Sequence, residues 1–102
     1  IHVDDLAAGH LSALRELSLR RETLTLNLGT GRSYSVLEMI RAFEAASGKQ
    51  IPFELSSRRS GDLAEYYANC SRAMNMLGWS AKHGIEKMCL DTWRWQSNNN
   101  KK

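Results

Sequence analysis

Arg58-Arg59-Ser60-Gly61-Asp62 is the stretch of this 102-residue chain richest in chemistry. A guanidinium is the preferred side chain for bidentate contact with phosphate oxygens. Glycine lets a backbone approach closely, and an aspartate can accept from a pair of ribose hydroxyls. Taken alone, the same residues also suit a solvated loop, because 56–62 holds no apolar side chain.

Other constellations carry less. Gly29-Thr30-Gly31 follows a β-favouring run and precedes a helical one, as a dinucleotide-binding turn would. The third glycine of that turn falls at Tyr34, so a tight strand-to-helix turn is the reading. A lysine one helical turn after a tyrosine would lower the phenol pKa and make a proton relay. Tyr34, Tyr66 and Tyr67 lead instead to Glu38, Cys70 and Ser71, so no catalytic tyrosine is assigned. His2, His10 and His83 do not cluster in sequence, and neither Cys70 nor Cys89 pairs with one at a ligand spacing, so no metal site is assigned. His10 lies on an apolar stripe and reads as a packed, hydrogen-bonded histidine. Trp93 and Trp95 do not share a helix face and read as packing residues.

Four helices and two or three strands must position these groups. The first helix is expected to start at Asp4 or Asp5, whose carboxylates suit a first turn. Leu6, Ala7, His10, Leu11, Ala13, Leu14 and Leu17 form its apolar stripe, and Arg20 and Arg21 suit its end. Thr23 to Leu28 alternates and predicts a strand. Ser35 and Glu38 form a capping box for a second helix, which Gly48 ends. Ile51 to about Leu55 predicts a short strand with Pro52 near its start, and Tyr66 to Ala68 reads as extended. Ser71 caps a short helix through Leu77, closed by Gly78. The last helix runs from about Ile85 to Gln96, with Ile85, Met88, Cys89, Thr92 and Gln96 on one side. This alternation predicts an α/β fold with small parallel strands. Two or three strands make a poor parallel sheet alone, so Thr23–Leu28 reads as part of a larger one.

Hydrophobic residues make up 42% and charged ones 25%, which excludes wholesale disorder. The net charge of +3 is weak support for a nucleic-acid partner, and the basic residues are dispersed rather than striped. No apolar run reaches bilayer-spanning length. Two scattered cysteines read as reduced thiols of a cytoplasmic protein. The chain opens on Ile1-His2-Val3 without Met, inside a structured pattern, and reads as a piece of something longer.

Ile1-His2-Val3-Asp4-Asp5-Leu6-Ala7, Asn27-Leu28-Gly29-Thr30-Gly31, Ser35-Val36-Leu37-Glu38, the arginine-pair loop and Asp91-Thr92-Trp93-Arg94-Trp95-Gln96 occur in one order across the chain. Together they resemble the C-terminal part of UDP-hexose 4-epimerases, in the extended short-chain dehydrogenase/reductase family. The arginine pair and the D-T-W-R-W-Q ending are the specific motifs, and the tail from Asn98 departs from the family's usual proline- and glycine-containing end. The resemblance implies the C-terminal substrate-binding portion of a Rossmann-type fold. In that reading, 1–34 belongs with a nucleotide-binding sheet, 35–97 forms a UDP-sugar subdomain and 98–102 is a disordered polar tail. It also implies an isomerase that interconverts UDP-glucose and UDP-galactose by NAD-dependent hydride abstraction and return at sugar C4.

Carried over residue by residue, Arg59 matches the family's diphosphate ligand and Asp62 the acceptor for the uridine ribose. Val36 matches an apolar contact to the nucleotide, and Tyr66 a position beside the sugar that leaves little room for an N-acetyl group. The NAD loop, the catalytic Tyr-x-x-x-Lys set and most of the dimer contact of the implied homodimer fall outside this chain, so these residues alone imply no activity. No nucleic-acid or membrane partner is implied. A related nucleotide-sugar dehydratase or decarboxylase shares the opening motifs and stays open, as does a non-catalytic basic binding module.

Overall fold

A computed structural model describes residues 1–101. Its elements are four helices: α1 (Val3–Arg20), α2 (Val36–Ser47), α3 (Ser71–Leu77) and α4 (Ile85–Asn99). They fall into two compact units, one of residues 1–32 and 67–84, the other of residues 33–66 and 85 onward.

In the first unit, α1 begins one residue before the predicted start. His2, not an aspartate, is the N-cap, and its Nδ1 accepts from the Asp4 amide at 3.0 Å. Asp5 is drawn inward instead. Its carboxylate accepts from the backbone N–H groups of Lys82 and His83 at 3.0 and 2.9 Å, while its carbonyl accepts from Trp79 Nε1 at 3.0 Å. These bonds tie the start of α1 to the stretch after α3. The inward face of α1 follows Asp5 and Gly9 rather than the leucines. A Cβ at Gly9 would lie 2.7 Å from Leu28 Cδ1 and 3.2 Å from Trp79 Nε1, so glycine is what lets this helix approach so closely. Leu11, Leu14 and Leu17 of the predicted stripe are exposed. His10 is exposed as well, against expectation, although it keeps a hydrogen bond from Nδ1 to the Leu6 carbonyl at 2.9 Å. α1 ends at Arg21, which turns left-handed at φ 56° and donates its N–H to the Leu17 carbonyl.

The predicted parallel strands are absent among the described residues, where no strand is formed. The physical reason is that a strand exists only through its ladder, and among the described residues neither Thr23–Leu28 nor Ile51–Leu55 forms one. The alternation survives without the ladder: Leu24, Leu26 and Leu28 are half-buried, and Thr23, Thr25 and Asn27 are exposed. Side chains serve this segment's neighbourhood instead, with Arg72 donating to the Thr25 carbonyl at 3.2 Å and Asn27 Nδ2 to the Asn69 carbonyl at 3.4 Å. The N-cap of α3 is Cys70, one residue before the expected Ser71, and its side chain makes no capping bond. Ser71 is its first residue, and Asn69 Oδ1 accepts the Ser71 N–H at 3.0 Å. Gly78 closes α3 at φ 65°.

The second unit is built on α2 against α4. The α2 capping box is complete: Ser35 Oγ accepts from Glu38 N at 3.0 Å, and Glu38 Oε2 accepts from Ser35 N at 2.8 Å. Its C-cap is Gly48, at φ 68°. α4 faces inward through Ile85, Met88, Cys89 and then Trp93, while Thr92 and Gln96 are exposed. Cys89 Sγ meets Met39 Sδ at 3.6 Å, and Lys49 Nζ sits 5.2 Å from the Trp93 ring centroid. α4 continues to Asn99, into the stretch read as a polar tail. Lys102 lies outside the described residues.

Candidate functional site

All four residues singled out from the sequence, Val36, Arg59, Asp62 and Tyr66, lie in the second unit. The loop between Ile51 and Tyr66 holds no helix, and its one regular feature is a turn over Arg59–Asp62. There the Asp62 N–H donates to the Arg59 carbonyl at 3.2 Å, with Gly61 at φ 86°. Glycine at the third position of a four-residue turn, with positive φ, is the type II signature. The turn brings its first and fourth side chains together, and Arg59 Nε donates to Asp62 Oδ2 at 3.3 Å.

Both side chains of the pair reach solvent, Arg59 at 88% and Asp62 at 46% of full exposure. An ion pair this exposed contributes little to stability. Its consequence is positional: the carboxylate engages Nε on one edge of the guanidinium, which has five donors in all. The turn therefore presents a planar cation beside an acceptor, the combination a diphosphate and a ribose would need.

Val36 is the first residue of α2 and lines an apolar hollow of about 380 Å³ with Tyr34, Ser35, Met39, Ile40, Phe43 and Ile51. The Ser35 cap sets its position, since α2 must start at the next residue. The rim of the hollow is fixed by Glu44, whose Oε2 accepts the Ile51 N–H at 3.0 Å. Tyr66 is exposed and makes no hydrogen bond or ring contact with Val36, Arg59 or Asp62 among the described residues. The structure thus joins Arg59 to Asp62 and gives Val36 an apolar setting, but it does not gather the four into one pocket.

One residue that sequence reasoning passed over is Glu65. It accepts from Ser33 Oγ and so ties the end of the arginine loop to the approach of α2. A glutamate beside Tyr66, 32 positions from its partner, carries no local signal of this bond.

The residues present do not form a dinucleotide site. A Cβ at Gly29 would come within 2.9 Å of the Ala68 Cβ, so this glycine is spent on packing against the 67–70 segment. Cys70 Sγ reaches the Gly29 carbonyl at 3.4 Å. With Tyr34 in place of a third glycine and no strand before the turn, nothing among the described residues cradles a pyrophosphate as the fingerprint would.

Comparison with known proteins first places the fold. The chain superposes over 98% of its length on a UDP-glucose 4-epimerase of Bifidobacterium longum in complex with NAD+ and UDP, with TM-score 0.86 and 42% identity. It superposes over 96% of its length on the UDP-Glc/GlcNAc 4-epimerase of Campylobacter jejuni, with TM-score 0.86 and 34% identity. In each case it spans 30% of the solved chain. The fold is therefore that of a portion of the nucleotide-sugar 4-epimerases.

The sequence relatives are more particular. The chain is 54% identical over 99 residues to UDP-glucose 4-epimerase of Bos taurus, 52% to that of Bacillus subtilis and 54% to that of Homo sapiens. These matches take in 97% of this chain but only 28–29% of the relatives' length. No protein-family profile matches it.

Proposed function

We propose that this chain is the C-terminal, UDP-binding part of a UDP-glucose 4-epimerase. The observation that carries the reading is 52–55% identity, over nearly the whole chain, to enzymes of that name from animals, a bacterium and a slime mould. In this reading Arg59 binds the diphosphate, Asp62 accepts from the uridine ribose, Val36 supports the nucleotide and Tyr66 borders the sugar. The 59–62 turn supports the first two roles, because it holds a guanidinium and a carboxylate side by side with outward-facing donors.

The parent enzyme interconverts UDP-glucose and UDP-galactose, and NAD held by residues outside this chain takes up and returns the hydride at sugar C4. What these residues supply is purchase on the nucleotide half of the substrate. Residues 1–34 belong with the parent's nucleotide-binding sheet, and the alternating half-burial of Leu24, Leu26 and Leu28 supports a strand there once a neighbour is present. The parent is a cytoplasmic homodimer. Among the described residues no helix is long and apolar enough to cross a membrane, and both cysteines are free thiols.

The test is an enzyme that carries this chain as its C-terminal part. It is expected to convert UDP-galactose to UDP-glucose. Arg59→Ala is expected to weaken UDP binding about 10- to 150-fold, the equivalent of about 1.5–3 kcal/mol for a charge-assisted contact. Release of a dehydrated or decarboxylated sugar nucleotide would favour the related enzymes instead. Tyr66 predicts a preference for non-acetylated UDP-hexoses, and comparable turnover of UDP-N-acetylglucosamine would refute that role.

A further inference from the structure

The first unit holds a cluster that no role above uses. His2, Asp4 and His83 each offer one ligand atom, and the three atoms lie within 4.8 Å of one another. The His2 and His83 rings are 4.7 Å apart between centroids and tilted by 54°. His2 Nδ1 is 3.9 Å from Asp4 Oδ2. We propose that these three side chains bind a divalent ion of the zinc type.

The donor set decides the class of ion. Two imidazoles and one carboxylate suit zinc and its neighbours and do not suit calcium or magnesium, which take oxygen ligands. Three protein ligands would leave a fourth position for water. Ligand atoms around a tetrahedral ion stand closer together than 4.8 Å, so the site must contract on binding. The members able to move are the less buried ones: Asp4 has a side chain 74% exposed, and His83 is half-buried. His2 is the fixed member, 6% exposed at the helix start.

The surroundings prepare the site. Asp5 holds the backbone of His83 through its carboxylate, which anchors the second imidazole opposite the first. Asp4 and Asp5 together offset the double charge of the ion, and this offsets the unfavourable placing of a cation at the amino end of α1. The ion competes with the helix cap. His2 Nδ1 now accepts from the Asp4 amide, and the same nitrogen lies 3.9 Å from Asp4 Oδ2. Binding therefore exchanges the cap for the metal bond, and the freed Asp4 amide lies at an exposed position.

That exchange supplies the diagnostic. Zn2+ titrated into the chain is expected to bind once per chain and raise its melting temperature. It should shift the imidazole resonances of His2 and His83 together with the Asp4 amide. His83→Ala and Asp4→Asn, both at positions with exposed or half-exposed side chains, should each weaken the affinity at least tenfold while helicity stays unchanged. His10→Ala, outside the cluster, should leave it unaltered. Binding should also weaken in mildly acidic buffer, where protons compete for the imidazoles. Absence of one-to-one binding overturns the proposal. So does binding that survives His83→Ala and Asp4→Asn unchanged, or that falls equally in His10→Ala as scattered histidines of an unfolded chain would give.

Discussion

Removing the Asp5 carboxylate probes what holds the first unit together. Asp5 is 4% exposed, and its Oδ2 accepts from two backbone amides, Lys82 N–H and His83 N–H. A hydrogen bond to a charged group is worth about 1.5–3 kcal/mol. Both amides are only part-buried, so water recovers some of the loss in Asp5→Ala, and the lower end of the two-bond sum, about 3 kcal/mol, is the expectation. Alanine is the better helix former, so helix propensity does not add to the cost. For a chain of this size the change corresponds to a melting point lower by about 12–24 °C. Urea unfolding followed by helical circular dichroism measures it directly, with an unchanged denaturant slope if only stability has moved.

The same variant carries a pH signature. Burial pushes the Asp5 carboxyl up, but the His83 and Lys82 amides and the positive potential of His83 and His2 outweigh it, so the net shift is downward. A carboxyl whose pKa is lowered by folding stabilises the protein above its unfolded value of about 3.9, and loses that contribution as pH falls through the lower folded value. The gap between wild type and Asp5→Ala should therefore be full at about pH 6 and shrink below about pH 4. A gap under about 0.5 kcal/mol, within the range of ordinary surface changes, would refute the reasoning. A gap that stays constant into acid would refute its electrostatic part.

Three further outcomes are expected. Ser35→Ala removes half of the α2 capping box and should cost about 1 kcal/mol, read in the same urea experiment. Gly29→Ala forces a Cβ to within 2.9 Å of the Ala68 Cβ, a contact that only backbone movement relieves, and should cost about 1–3 kcal/mol. Cys89 is 1% exposed and burial pushes its thiol pKa up, with the Glu86 charge adding to the effect, so a thiol reagent should label half-buried Cys70 first and reach Cys89 only on unfolding. Simultaneous labelling of both in native buffer would contradict the packing of α4 on α2.

What was legible in the sequence was local. The α2 boundaries could be read because Ser35, Glu38 and Gly48 act on backbone groups within four residues of themselves. The 56–62 loop could be read because it holds no apolar side chain, but the pairing of Arg59 with Asp62 across a glycine turn emerged only in the fold. The strands could not, because alternation in Thr23–Leu28 specifies which faces are buried but not a partner for its hydrogen bonds. The α1 stripe misled for a related reason. Periodicity identified the leucines, yet the close approach of Leu28 and Trp79 turns Gly9 and Asp5 inward and leaves Leu11 and Leu14 outside. The meeting of His2 with His83 was invisible, since 81 positions separate them and the Asp5 bonds that tie their segments are long-range.

The central claim, that this chain holds half of a uridine nucleotide site, is tested most directly by two-dimensional amide NMR without and with UDP. The expected result is a dispersed spectrum in which the amides of Val36 and of Arg59 to Asp62 move on adding UDP, with those shifts lost in Arg59→Ala. A dispersed spectrum indifferent to UDP, or one that moves equally in Arg59→Ala, would contradict it.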